Sequence, residues 1–227
     1  APLMRLLLIH TGDNAWRFVW SYHHLLMDGW SKSTVLKEVL ALYEAACRGE
    51  ICSLEQSRPY RDYIAWLQQQ DMAGAEAFWR QRLSGFNRPT HLTVQKTQAQ
   101  PFEQEDVYDE VRLGLSRIQT EALRSLARQN HLTLNTLIQG AWALILNRYS
   151  ADEDVVFGAT ISGRPEELHG IESMVGLFIN TLPVRVQVRS EELLIPWLQE
   201  LQQRHQVERD QYSYTPLVEI QKWSLLS

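Results

Sequence analysis

An α/β fold is what the sequence predicts, because short strand-like runs keep giving way to stretches of helical spacing. Leu182, Val184, Val186 and Val188 alternate as one face of a strand, whereas Leu134, Leu137, Ile138, Ala141, Leu144 and Ile145 recur at i, i+3, i+4, i+7. Hydrophobic residues make up 44% of the 227, enough to bury a substantial core and too many for a disordered chain.

Taken in order, residues 3–10 and 16–22 are apolar or alternating runs separated by the turn formers Thr11, Gly12, Asp13 and Asn14, which predicts a β-hairpin. Val35, Val39, Leu42 and Ala46 then follow helical spacing up to a stop at Gly49. Pro59 opens a further amphipathic helix, and residues 75–83 form the next. The stretch 84–104, rich in Gly, Pro, Asn, Thr and Gln and without a sustained period, reads as a connector. Residues 107–115 alternate as a strand. Ser116 with Gln119 three residues later is a capping box for a helix to about 129, and Thr133 caps the next. The second half of that helix is apolar on nearly every side, so it is expected to be buried. Residues 154–161 read as a strand that ends in the turn Ser162-Gly163-Arg164-Pro165, where Gly158, Ala159, Ser162 and Gly163 would let backbone or substrate come near. Residues 191–210 form an amphipathic helix on Leu194, Trp197, Leu198, Leu201 and Val207, with His205 expected at the surface. No internal repeat or low-complexity tract interrupts the chain.

The bulk properties exclude several classes. A net charge of −5 with no Lys/Arg-rich block argues against nucleic acid as the main partner. Two cysteines, Cys47 and Cys52, are too few for a disulfide scaffold and fit a reducing cytoplasm. No apolar run reaches membrane-spanning length, and the start lacks signal-peptide order.

Chemistry concentrates in Ser21-Tyr22-His23-His24-Leu25-Leu26-Met27-Asp28-Gly29-Trp30-Ser31. Neighbouring side chains on a strand point to opposite faces, so only one of His23 and His24 faces a given cavity, and the other supports it. An imidazole titrates near neutrality and can take or hold the proton of a nucleophile, which suits acyl transfer. Asp28 can fix the loop by pairing with an arginine or with backbone N–H groups. Gly29 permits a conformation that a side chain would obstruct. A helix beginning just beyond would turn its positive end toward the histidines. Adjacent histidines diverge and no other His or Cys recurs nearby at ligand spacing, which disfavours a metal site. No Gly-x-Ser-x-Gly elbow is present, which leaves direct transfer without a covalent enzyme intermediate as the better fit.

The run HHLLMDG resembles the HHxxxDG signature of the condensation domains of nonribosomal peptide synthetases. Two further stretches follow in the family's order: Tyr60-Arg61-Asp62-Tyr63-Ile64-Ala65-Trp66 is similar to a YxDYxxW motif, and Val175-Gly176-Leu177-Phe178-Ile179-Asn180-Thr181 to a GxFVNT motif. Residues 158–165 also look like a family strand and loop, and 212–221 match a looser motif in part. The resemblance implies a chloramphenicol acetyltransferase-like fold of two α/β subdomains. Residues 1–84 would end the first, 85–104 would connect, and 105–227 would form most of the second. The family's opening and closing motifs are missing, so the chain is expected to be the latter half to two-thirds of a domain. The missing opening motif carries the arginine thought to pair with the motif aspartate, which leaves the partner of Asp28 open.

What the resemblance implies for the site is a catalytic set of His24 with His23, Asp28 and Gly29. Asn180, Trp30 and Ser31 would lie along the substrate channel, with no metal. The implied reaction joins an aminoacyl or peptidyl thioester to an aminoacyl amine. Both substrates ride on the phosphopantetheine of peptidyl carrier domains, with an adenylation domain nearby and no cofactor bound by the domain itself. An epimerisation domain, a non-catalytic carrier-docking platform and an acyltransferase using free coenzyme A are the rivals. No membrane or nucleic-acid partner is implied, and the setting is cytoplasmic.

Overall fold

A computed structural model describes residues 2–92 and 110–224. It divides the chain into two compact units, one of residues 1–73 with 160–181 and the other of 74–159 with 182–227. By packing the units divide at 73/74, with the 160–181 segment grouped with the first. Of the expected connector, 93–104 lies outside the described residues.

In the first unit, β1 (Met4–Gly12) and β2 (Ala15–Tyr22) pair antiparallel from Met4↔Tyr22 to Gly12↔Ala15, with a register shift between His10 and Gly12. Asn14 takes a positive φ in the turn, a conformation asparagine tolerates well. A single 3₁₀ turn (His24–Leu26) leads to α1 (Gly29–Arg48), which stops at Gly49 as the sequence expects. α2 (Arg61–Leu67) follows. The core of this unit is Tyr63, Ile171, Met174 and Phe178, with Tyr60, Trp66, Leu67 and Leu168 packed on it. The short α2 thus buries its aromatic side against the 168–178 segment, which has no regular structure of its own.

The second unit takes in nearly all of α3 (Met72–Arg82), then α4 (Arg117–Gln129) and α5 (Leu134–Ser150). It also holds most of β3 (Asp154–Ile161) and β4 (Asn180–Gln187), then α6 (Leu194–Tyr212) and α7 (Leu217–Trp223). β3 and β4 form a two-stranded sheet. The capping box of Ser116 and Gln119 is formed, and the Thr133 hydroxyl accepts from the Thr136 N–H. The alternating face Leu182, Val184, Val186 and Val188 is buried, and its three valines share one core cluster with Trp197, Leu198 and Leu201 of α6 and Ala143 and Leu146 of α5.

Three sequence expectations are corrected here. α5 buries only Thr136, Gln139, Gly140, Ala143 and Leu146, a stripe of mostly small or polar residues, while Ile138 (67%) and Tyr149 (56%) stay exposed. Gly140 faces Leu198 and Trp197 where a Cβ would overlap Leu198, so close helix approach, not apolar bulk, selects the inward stripe. His205 is buried, because Leu198, Leu201, His205 and Glu208 share one face of α6. Burial, with the charges of Arg209 and Arg82, holds its imidazole below the usual histidine value. The Arg82 guanidinium hydrogen-bonds the buried Glu208 carboxylate. Residues 110–115 form no strand, and Val111 and Leu113 lie open to solvent; 107–109 fall outside the described residues. Among the described residues no helix is long and apolar enough to cross a membrane.

Candidate active site

β2 ends at Tyr22, so the two histidines are not strand residues: His23 precedes the 3₁₀ turn and His24 opens it. The His23 N–H donates to the Leu3 carbonyl of the first strand's leading end at 2.7 Å, tying the loop to the hairpin. Its Nδ1 accepts from the Leu25 N–H at 3.1 Å, which caps the turn and makes His23 the supporting histidine. His24 is exposed at the turn's start. The chain then dives, with Met27 and Asp28 both buried.

Asp28 ends that descent and begins α1. Its Oδ1 accepts from the Ser31 N–H at 2.8 Å and its Oδ2 from the Phe178 N–H at 3.1 Å. The Arg164 guanidinium lies 3.6 Å from Oδ1, with side-chain exposures of 6% and 1% for the pair. Arg164 from the 162–165 turn is thus the partner that the sequence left open. It also donates to the Ser31 Oγ (3.0 Å) and to the Met174 and Ile171 carbonyls, and it stacks 3.8 Å from the centroid of Phe178. The turn can deliver it because Gly163 takes φ +61 and a Cβ there would overlap the Phe178 carbonyl oxygen.

Burial pushes the Asp28 carboxyl up, yet the hydrogen bonds from Ser31 and the Phe178 N–H, with the Arg164 charge, outweigh it and leave the group below the ordinary carboxylate range. Because the folded value is depressed, the stability Asp28 contributes is complete above the unfolded value near pH 4. It is lost as pH falls through the depressed value. In urea titrations of the full-length domain between about pH 5 and 2, Asp28→Asn should flatten part of the acid-side loss; an unchanged slope would count against the network.

Asp28, expected in the catalytic set, is enclosed and engaged by Arg164 and by backbone N–H groups, the pairing that the sequence offered it for holding the loop. Its carboxylate also caps the positive end of α1, so that end is already matched and does not face the histidines unpaired. Ser31, expected along the channel, is buried: its Oγ donates to the Gly176 carbonyl (2.8 Å) and accepts from the Gly176 N–H (3.1 Å). Trp30 is exposed, with its indole N–H on the Glu172 carbonyl at 3.0 Å. A Cβ on Gly29 would meet open space and its φ is ordinary, so the local backbone does not require glycine. Asn180 begins β4, half-buried, and its Oδ1 accepts from the Thr181 N–H at 2.9 Å.

The structure thus joins the HHLLMDG loop to the VGLFINT segment and to the Gly163-Arg164 turn. Arg164, 133 residues from Ser31, was not singled out from sequence as part of the site. The available signal was a lone cation between a glycine and a proline, in a chain that needed a partner for a loop aspartate.

The sequence profile of the Condensation domain family matches residues 1–226. One component of the linear gramicidin synthase of Brevibacillus parabrevis is 53% identical over 224 residues, which is 99% of this chain and 4% of that protein. Bacitracin synthase 3 of Bacillus licheniformis is 41% identical over 224 residues, covering 99% of this chain and 4% of its own length. Among solved structures, the first condensation domain of the calcium-dependent antibiotic synthetase, in complex with a substrate analogue, superposes with TM-score 0.77 at 20% identity over 97% of this chain and 48% of that one. The chain spans about half the length of that solved domain. Its fold is the mixed α/β, chloramphenicol acetyltransferase-like class that the motifs implied. With its histidine loop, its aspartate–arginine anchor and these likenesses together, the chain belongs to the condensation domain family of nonribosomal peptide synthetases.

Proposed function

We propose that the chain supplies the histidine loop of an amide-forming acyltransferase, in which the amine of a carrier-bound aminoacyl thioester attacks the thioester carbonyl of a carrier-bound aminoacyl or peptidyl donor. The new bond is N–C and the broken one is C–S. The amine's proton passes to His24 and leaves with the departing pantetheine thiol. The single observation that supports this reading is an exposed imidazole on a turn anchored at both ends, to Leu3 by His23 and to Gly176 by Asp28. A base or hydrogen-bond acceptor held in that way can orient a nucleophile without rearranging when it reacts. Asn180, on the segment that seats Asp28, is the nearest amide in sequence to that anchor and is assigned to the channel wall, as is the exposed Trp30. Phosphopantetheine arrives with the donor and acceptor carrier domains, so the domain holds no cofactor of its own. An adenylation domain is the expected neighbour, in the cytoplasm.

The test is reconstitution of a full-length domain carrying this sequence with a loaded donor carrier and a loaded acceptor carrier. A dipeptidyl thioester on the acceptor carrier is the expected product. Solvent deuterium entering the α-carbon of a tethered residue, with no dipeptide formed, would instead mark an epimerisation domain. Acylation from free coenzyme A thioesters alone would mark a stand-alone acyltransferase, and carrier binding without any product would mark a docking platform.

A further inference from the structure

We propose that Tyr60 is a positioning residue for the reaction above, acting on His24 through the Gly176–Phe178 segment; the inference rests on that functional reading and extends it to a residue away from the loop.

The loop that carries His24 has two main-chain anchors. One is the His23 N–H on Leu3, and the other is the Asp28 N–H on the Gly176 carbonyl at 3.1 Å. The second anchor is only as well placed as Gly176. That residue is gripped from the loop side by the Ser31 hydroxyl, and Phe178 is gripped by the Asp28 carboxylate at 3.1 Å. Tyr60, just ahead of α2, makes further contacts along the same 176–178 segment. Its hydroxyl donates to the Leu177 carbonyl at 2.6 Å, and its ring meets Phe178 edge-on at 5.1 Å and 81°. A Cβ on Gly176 would overlap the Tyr60 ring, so ring and backbone lie in direct contact there.

Tyr60 is therefore the stop against which Gly176 rests, and the Gly176 carbonyl fixes the lower end of the histidine loop. Packing alone does not account for it. Tyr63, one turn later, is a buried ring of this core, whereas Tyr60 is half-buried and spends its polar atom on the backbone of the anchoring segment. Burial, followed by the nearby Asp28 charge, pushes the Tyr60 phenol up, so it stays a donor at any working pH.

The experiment uses a full-length condensation domain carrying this sequence, with loaded donor and acceptor carriers. Tyr60→Phe keeps the ring and deletes the hydroxyl. Its single-turnover rate at saturating acceptor carrier, per folded protein, should fall about tenfold, because a small displacement of a reacting group is costly, while the KM for the acceptor carrier stays unchanged. A rate equal to the parent's, a loss that only follows the folded fraction, or a change confined to KM would each overturn the proposal. Should Tyr60→Phe not fold, Gly176→Ala probes the same contact from the other side and is decided by the same outcomes. His24→Ala, run alongside, separates the two claims. If it still forms product, the functional reading fails; if it does not, and Tyr60→Phe behaves as the parent, only the role of Tyr60 fails.

Discussion

Arg164→Met should cost a full-length domain of this sequence about 3–5 kcal/mol in urea unfolding, a far larger loss than an ordinary ion pair would give. An exposed pair contributes about 0–1 kcal/mol, because water screens it and two long side chains must be held still. Burial decides between these figures, since the side chains of Arg164 and Asp28 are 6% and 1% exposed. Methionine retains much of the aliphatic stem against Phe178 but strands a carboxylate in the interior without its cation, beside Ser31 and the Phe178 N–H. The Ile171 and Met174 carbonyls each lose a donor as well, so the 165–174 loop should loosen. Adding Asp28→Asn to Arg164→Met removes the stranded charge, and the double variant should recover part of the loss. Two single losses that simply add would show that the pair is not coupled.

How much of this was legible in the sequence depended on the range of the interaction concerned. The hairpin, the Ser116 and Thr133 caps, the stop at Gly49 and the alternating face of β4 are all set by residues within a few positions of one another, and each appears where it was expected. The failures are long-range. His205 was expected at the surface, while it lies on the buried face of α6 with Leu198, Leu201 and Glu208, whose partner Arg82 arrives from α3. α5 looked buried all round because it is apolar all round, yet what selects its inward face is the close approach of α6 at Gly140. In the site, the family motif marked the histidines and the aspartate. It implied His24 as the reacting histidine, but it did not show that Asp28 and Ser31 are enclosed while Trp30 is exposed. Asp28 and Ser31 are the same kinds of residue whether they are exposed or enclosed, and it is Gly176, Phe178 and Arg164, far away in sequence, that close over them.

His24→Ala carries the other large effect. The imidazole is exposed and does not belong to either core, so its removal should leave stability within about 0.5 kcal/mol of the parent, as for most surface substitutions. The rate is a different matter. Proton transfer by a positioned side chain contributes about 10²–10⁴-fold, and the lower end applies here if His24 mainly orients an amine that is already nucleophilic. His23→Ala should show the reverse balance, because its Nδ1 is engaged in capping the 3₁₀ turn. It should disturb the loop and lower activity through misplacement of His24, with a loss of stability that His24→Ala does not share.

The central claim is that an outward-facing imidazole, held at both ends of a short turn, performs the transfer. The most direct measurement is the single-turnover rate of dipeptidyl thioester formation by His24→Ala in the full-length domain, with both carriers loaded beforehand and the folded fraction checked. A fall of at least about a hundredfold, with carrier loading and unfolding midpoint unchanged, is the predicted result; a rate within about twofold of the parent would contradict it.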